Sequence, residues 1–167
     1  MSDDRPPIVF IGPMGAGKTR LGKRVARILN RGFTDTDKEI VARYGSIADI
    51  FETHGEPHFR TLERDAVAEA LTSSNVVSLG GGAVLDTDTR AQLAGLPVVY
   101  LTVTAEAVAD RLRDGKRPLV RDGIESWQRI FDARRSIYEG LAGHVVDTSG
   151  RKMDDVAEEV VAWLRSR

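Results

Sequence analysis

Short apolar runs alternate along the chain with longer stretches in which apolar residues recur every three or four positions. The runs at 8–11 (IVFI), 76–79 (VVSL), 98–101 (VVYL) and 145–146 (VV) are too short for helices, rich in β-branched residues and bounded by glycine or polar residues. They predict buried strands, with a weaker one at 32–34. Leu21, Val25, Ile28 and Leu29 fall at i, i+4, i+7 and i+8, and Val156, Val160, Trp163 and Leu164 repeat that pattern. Each set puts one apolar stripe on a helix, as do Leu62, Ala66 and Ala70 after Arg60. Thr104 stands where an N-cap belongs before a helix at 105–113, and Ser46 with Asp49 resembles a capping box. Strands alternating with helices predict an α/β fold: a parallel sheet with right-handed crossovers and helices on both faces. No internal repeat or linker divides the chain, and the last helix reads as a layer of the same core.

Composition narrows the chemistry. A length of 167 residues fits a single domain, 1–167, large enough to hold a core without staples. The absence of cysteine excludes a disulfide framework, thiolate metal sites and a cysteine nucleophile. A net charge of −1 argues against a general nucleic-acid binder, while leaving room for a local basic pocket. No apolar run reaches the roughly 18 residues that span a bilayer, and the opening MSDDRPP lacks the apolar core of a secretion signal. The expectation is a cytoplasmic protein with no membrane partner.

Gly12-Pro-Met-Gly-Ala-Gly-Lys18-Thr19 fits G-x-x-x-x-G-K-[ST] between a predicted strand and a predicted helix. The glycines let successive N–H groups curl around a phosphate, and the helix amino terminus adds a favourable dipole. Lys18 can then reach the β- and γ-phosphates, and the Thr19 hydroxyl can ligate Mg²⁺. A plain glycine-rich turn would need neither the lysine nor the hydroxyl. Arg20 stands where many such loops carry a second Ser or Thr.

Three further segments bear on the phosphate acceptor. Asp35-Thr-Asp37 follows the second strand, so both carboxylates emerge at the edge where the phosphate loop lies; alternation along an extended stretch puts them on one side. One carboxylate could hold a metal through water and the other could accept a hydroxyl proton. The alternative is an acidic turn with Asp37 as a helix cap. Gly80-Gly81-Gly82 suits close backbone approach to a substrate or to the γ-phosphate, or else a flexible turn. The strand before it ends at Ser78-Leu79 rather than in an aspartate, which turns attention to Asp35 for metal support. Residues 110–135 carry eight basic and five acidic side chains, a balance of +3 in a chain of −1. With Lys116-Arg-Pro-Leu119 and Asp122-Gly123 breaking the helical pattern, they suggest a mobile loop over bound phosphates, or a solvated charged face. His54, His58 and His144 show no metal spacing, and Trp127 and Trp163 read as core.

GPMGAGKT, DTD at 35–37, FR at 59–60, GGG at 80–82, RPL at 117–119 and R-x-x-x-Y at 134–138 occur in an order and spacing that together resemble the shikimate kinase family over almost the whole chain. The resemblance implies a nucleoside-monophosphate-kinase-like P-loop NTPase fold with a five-stranded parallel sheet, a substrate-binding region at about 35–64 and a mobile lid at about 112–124. It implies transfer of the ATP γ-phosphate to the 3-hydroxyl of shikimate, with Mg²⁺, in the chorismate route to aromatic amino acids, by a monomer. Gly15, Ala16, Gly17, Lys18, Thr19 and Arg20 are implied to bind the ATP phosphates, with Thr19 and, through water, Asp35 serving the metal. Asp37, Arg60, Gly81 and Arg134 are implied to bind shikimate. Lys18, Asp37 and the lid arginine Arg117 are the implied catalytic set. Arg111 and Arg151 align with positions near the adenine, where Arg151-Lys152-Met153 replaces a frequent proline. Glu63, one turn beyond Arg60, is placed to hold that guanidinium. A related kinase such as gluconate kinase, or a non-catalytic ATP-sensing module, would share the phosphate loop.

Overall fold

Continuous apolar runs become central strands because a parallel sheet is covered on both faces. In the computed structural model, which describes residues 3–113 and 123–167, five parallel strands lie in the order β2-β3-β1-β4-β5. They are β1 (Ile8–Ile11), β2 (Phe33–Asp35), β3 (Val76–Ser78), β4 (Val98–Thr102) and β5 (His144–Asp147). Central β1 places Val9 opposite Val77 of β3 and Val98 of β4, and all four of its residues are buried. β2 spans Phe33–Asp35, one residue later than the expected 32–34.

Helix α1 (Lys18–Leu29) packs against α8 (Met153–Arg165). The connections from β2 through α2 (Thr36–Tyr44), α3 (Ile47–His54) and α4 (Glu56–Ala70) run back in the opposite direction across the sheet. So do those through α5 (Thr87–Leu93), α6 (Ala105–Arg113) and α7 (Gly123–Leu141). Right-handed crossovers therefore put α1 on one face and α4, α5 and α7 on the other, and α8, which follows the last strand, joins α1 by packing against it.

Two apolar stripes are rotated from their expected centres. On α1 the buried residues are Leu21, Gly22, Val25 and Ala26, while Ile28 is 46% exposed. Gly22 faces the Phe33 ring, so the contact with β2 sets the rotation. On α4 the buried set is Phe59, Glu63, Val67 and Ala70. Leu62 and Ala66 pack instead on a small second cluster built from Ile40, Ile50 and Phe59. Thr104 caps α6 by accepting from the Ala107 N–H (3.2 Å), and Ser46 caps α3 by accepting from the Asp49 N–H (3.1 Å).

Candidate active site

The phosphate loop leaves β1 and turns through Gly15 and Gly17, at φ 85° and 97°, directly into α1. Lys18 opens that helix and folds back over the loop, its Nζ donating to the Gly12 carbonyl (2.5 Å) and the Pro13 carbonyl (3.1 Å). Its ammonium thus lies across the loop that a phosphate would enter. The Thr19 hydroxyl donates to Asp35 Oδ2 at 2.8 Å. The other Asp35 oxygen caps α2 by accepting from the Lys38 N–H (3.2 Å), so Asp35, not Asp37, is the helix cap. Thr19 and Asp35 are hard oxygen donors. Mg²⁺ takes one or two such side chains and completes its shell with phosphate oxygens and water, so the pair fits that ion. Among the described residues no group of three or more His, Cys, Asp and Glu could hold a metal by itself.

Asp37 does not follow Asp35 along an extended stretch. The chain has already entered the first turn of α2, which turns the Asp37 carboxylate toward Gly80. The three glycines after β3 are each approached by side chains of a different helix. A Cβ at Gly80 would lie 2.6 Å from Asp37 Oδ1, and one at Gly82 would lie 2.6 Å from Arg60 Nη1. At Gly81 it would lie 3.4 Å from Arg134 Nη1 and 3.6 Å from the Tyr138 hydroxyl. The run makes room for the protein's own side chains, a use that the sequence, which suggested a substrate or the γ-phosphate, did not indicate. An alanine at 80 or 82 would have to displace Asp37 or Arg60.

Around these glycines the charges are coupled. Arg60 donates to Glu63 Oε1 at 2.7 Å and to Glu56 Oε1 at 3.3 Å. Glu63 is only 4% exposed, and burial pushes its carboxyl above the ordinary range despite the Arg60 hydrogen bond. Asp37 adds to that rise and Arg134 opposes it, so all four side chains share one field. Tyr138 is fully buried, its hydroxyl donating to the Gly81 carbonyl at 2.6 Å. Burial pushes the phenol up to about 12, against the pull of Arg134, which extends its range as a donor into alkaline pH. The sequence marked Tyr138 only as the last residue of R-x-x-x-Y. The next residue, Arg135, pairs with Asp132 (3.0 Å), stacks on Phe131 and lines a separate groove with Tyr100 and Val145.

On the far side of the phosphate loop, Arg111 Nη1 donates to the Gly15 carbonyl (2.7 Å) and Nη2 to the Thr148 carbonyl (2.6 Å). Burial, and secondarily the nearby Arg20, push its guanidinium down from its usual value. An anion between these two cations would relieve their repulsion. Arg151 is held by Glu159 (3.1 Å), whose other oxygen meets His144 Nε2 (3.0 Å). Arg117 and most of the expected lid fall within 114–122, outside the described residues. The sequence did not reveal a role for Trp127: it is buried, as expected of core, yet its indole N–H also donates to the Met14 carbonyl of the phosphate loop (2.7 Å).

The shikimate kinase family model matches residues 14–165. The chain belongs to the shikimate kinase family. It is an ATP-dependent phosphotransferase that carries the γ-phosphate to the 3-hydroxyl of shikimate. A shikimate kinase of Streptomyces coelicolor is 45% identical over 157 residues, 92% of each chain. One of Thermobifida fusca is 45% identical over 164 residues, covering 96% of this chain and 95% of its own. Among solved structures, the Acinetobacter baumannii shikimate kinase in complex with shikimate superposes with a TM-score of 0.89 at 34% identity, over 98% of this chain and 94% of that one. A gluconokinase of Sinorhizobium meliloti has a TM-score of 0.66 at 20% identity and shares the fold alone. Among the described residues no helix is long and apolar enough to cross a membrane.

Proposed function

We propose that the side chains gathered on Gly80–Gly82 form the shikimate site and divide its work. Arg60 and Arg134 grip the carboxylate through charge-assisted hydrogen bonds, and the Gly81 backbone borders the ring. Asp37 orients the hydroxyls and accepts the 3-hydroxyl proton as that oxygen attacks phosphorus. Glu63 holds Arg60 in register. Gly15 to Arg20 receive the nucleotide phosphates, with Lys18 countering charge on the β/γ bridge as it shifts to the leaving ADP oxygen. Arg117, by its motif, supplies the second cation to the transferred group. Arg111 and Arg151 flank the nucleoside end. Mg²⁺ bound with ATP neutralises phosphate charge, and Thr19 together with Asp35 (through water) would hold it. The enzyme works as a cytoplasmic monomer, within a single kinase domain whose acceptor region is 35–64 and whose lid is 112–124.

The observation that carries this division is the convergence of Asp37, Arg134 and Arg60 on three consecutive glycines. Two guanidinium groups beside one carboxylate base suit a hydroxylated carboxylic acid as acceptor. A coupled ADP-release assay with shikimate, gluconate or no acceptor tests it. Acceptor-dependent release is expected with shikimate, and Asp37→Asn should lower kcat by about 10²–10⁴-fold. Faster release with gluconate would reassign the pocket, and undiminished turnover in Asp37→Asn would remove Asp37 as the base.

A further inference from the structure

Five consecutive carbonyls of the phosphate loop accept side-chain hydrogen bonds, two from the loop's own Lys18 and three from outside it. Lys18 takes those of Gly12 and Pro13, and Trp127 Nε1 takes that of Met14 (2.7 Å). Arg111 takes that of Gly15 (2.7 Å) and the buried Thr148 hydroxyl that of Ala16 (2.7 Å). A peptide unit is planar and trans, so its N–H points opposite to its C=O. Fixing the Met14 oxygen therefore fixes the direction of the Gly15 N–H. The donors come from separate places: Arg111 from α6, Trp127 from α7 and Thr148 from the turn before α8. Trp127 is 5% exposed and tilts against Phe131 at 5.3 Å between ring centroids, so its N–H has little freedom to leave. α6 and α7 are also the helices on either side of residues 114–122, so each flank of that segment grips the loop by one donor.

We propose that Trp127 is a positioning residue for nucleotide binding: its indole N–H holds the Met14–Gly15 peptide with the Gly15 N–H turned toward the phosphates. This rests on residues 12–19 being the nucleotide site. A tryptophan present only to fill the core would affect both substrates through general loosening. One that orients a loop amide acts on the nucleotide alone.

Trp127→Phe keeps a ring against Phe131 and removes the donor. Its KM for ATP should rise about five- to tenfold, the loss of one hydrogen bond, while the KM for shikimate stays within twofold. ADP affinity measured calorimetrically without shikimate should fall by the same factor. Trp163→Phe, whose ring stacks on His144 instead, should leave both KM values unchanged. In that Trp163→Phe protein, Trp127 is the sole tryptophan. Its indole N–H resonance should shift with ADP and not with shikimate, a readout that does not depend on Trp127→Phe folding. An unchanged ATP KM, an equal rise in both KM values, or an indole signal blind to ADP would overturn the proposal. Lys18→Ala separates the two levels. If it keeps activity and ADP binding, the nucleotide site itself is misplaced; if it loses them while Trp127→Phe does not, only the role of Trp127 fails.

Discussion

The Thr19 hydroxyl donates to Asp35 Oδ2 across 2.8 Å, tying the first turn of α1 to the last residue of β2. Asp35 is thereby drawn to the first turn of α1, whereas Asp37, two residues on, faces Gly80; in the proposed division these are the phosphate side and the acceptor side. Asp35→Asn should raise the Mg²⁺ concentration needed for half-maximal activity, with partial recovery at high Mg²⁺. Asp37→Asn should lower kcat with an unchanged Mg²⁺ requirement. Titrating Mg²⁺ at saturating ATP and shikimate reads both, and equal responses would contradict the division.

Arg134 and Arg135 are neighbours on α7 with opposite surroundings. Arg134 lies against Gly81, and Arg135 is occupied by Asp132 and Phe131. Arg60→Ala and Arg134→Ala should each weaken shikimate binding by about 1.5–3 kcal/mol, the worth of a hydrogen bond to a charged group. Arg135→Ala should stay within about 0.5 kcal/mol of wild type, as at most surface sites. Steady-state kinetics in shikimate decides. A larger loss at Arg135 would shift the functional face of α7 by one residue.

Glu63 carries a stability cost with a definite sign. Its folded pKa is raised, chiefly by burial, so in the acid range the folded state binds the proton more tightly than the unfolded chain. The stability that Glu63 contributes is present below its unfolded pKa and is lost as pH rises through the folded one. Glu63→Gln removes that titration. The variant should gain stability relative to wild type as pH climbs from 4 toward 7, while its KM for shikimate rises because Arg60 loses an ionic partner. Urea unfolding at several pH values tests the first claim and kinetics at pH 7 the second. A stability difference independent of pH would show that Glu63 does not titrate in this way.

Tyr138 follows the same sign in the alkaline range. Its phenol moves from 10.0 to about 12 on folding, chiefly through burial. Between those values the unfolded chain releases the proton while the folded protein keeps it, so the contribution falls as pH rises; the full shift corresponds to about 3 kcal/mol. Tyr138→Phe should cost about 1 kcal/mol near pH 7 through the lost bond to the Gly81 carbonyl. It should lose less stability than wild type above pH 10. Denaturant unfolding of both proteins at pH 7 and pH 11 measures the difference, and parallel curves would refute it.

Elements governed by neighbours in the chain were legible without coordinates. Strands buried on both faces read as unbroken apolar runs, so β1, β3 and β4 stood out by hydropathy alone; the Val145-Val146 pair marked β5, but that edge strand is not the buried one expected, since Val145 is 49% exposed. The phosphate loop was equally plain, because a glycine-rich turn, a lysine and a hydroxyl must be contiguous to wrap one anion and meet a helix start. Arg134 was distinguished from Arg135 only through the family resemblance, by its place at the head of R-x-x-x-Y.

Contacts between distant segments were decided only by the tertiary structure. Hydrophobic periodicity located α1 and α4 but not their rotation, which depends on Phe33 meeting Gly22 and on Glu63 turning inward beside Arg60. The glycines at 80–82 announced a need for space, yet which side chain fills each space depends on how α2, α4 and α7 converge on the end of β3. Trp127 looked like core because an indole is mostly apolar surface. Its single N–H finds the Met14 carbonyl only when α7 has folded beside the phosphate loop, 113 residues away in sequence. Local chemistry thus determined the elements and the phosphate loop, whereas packing between elements determined how the acceptor site is assembled and what holds the loop in place.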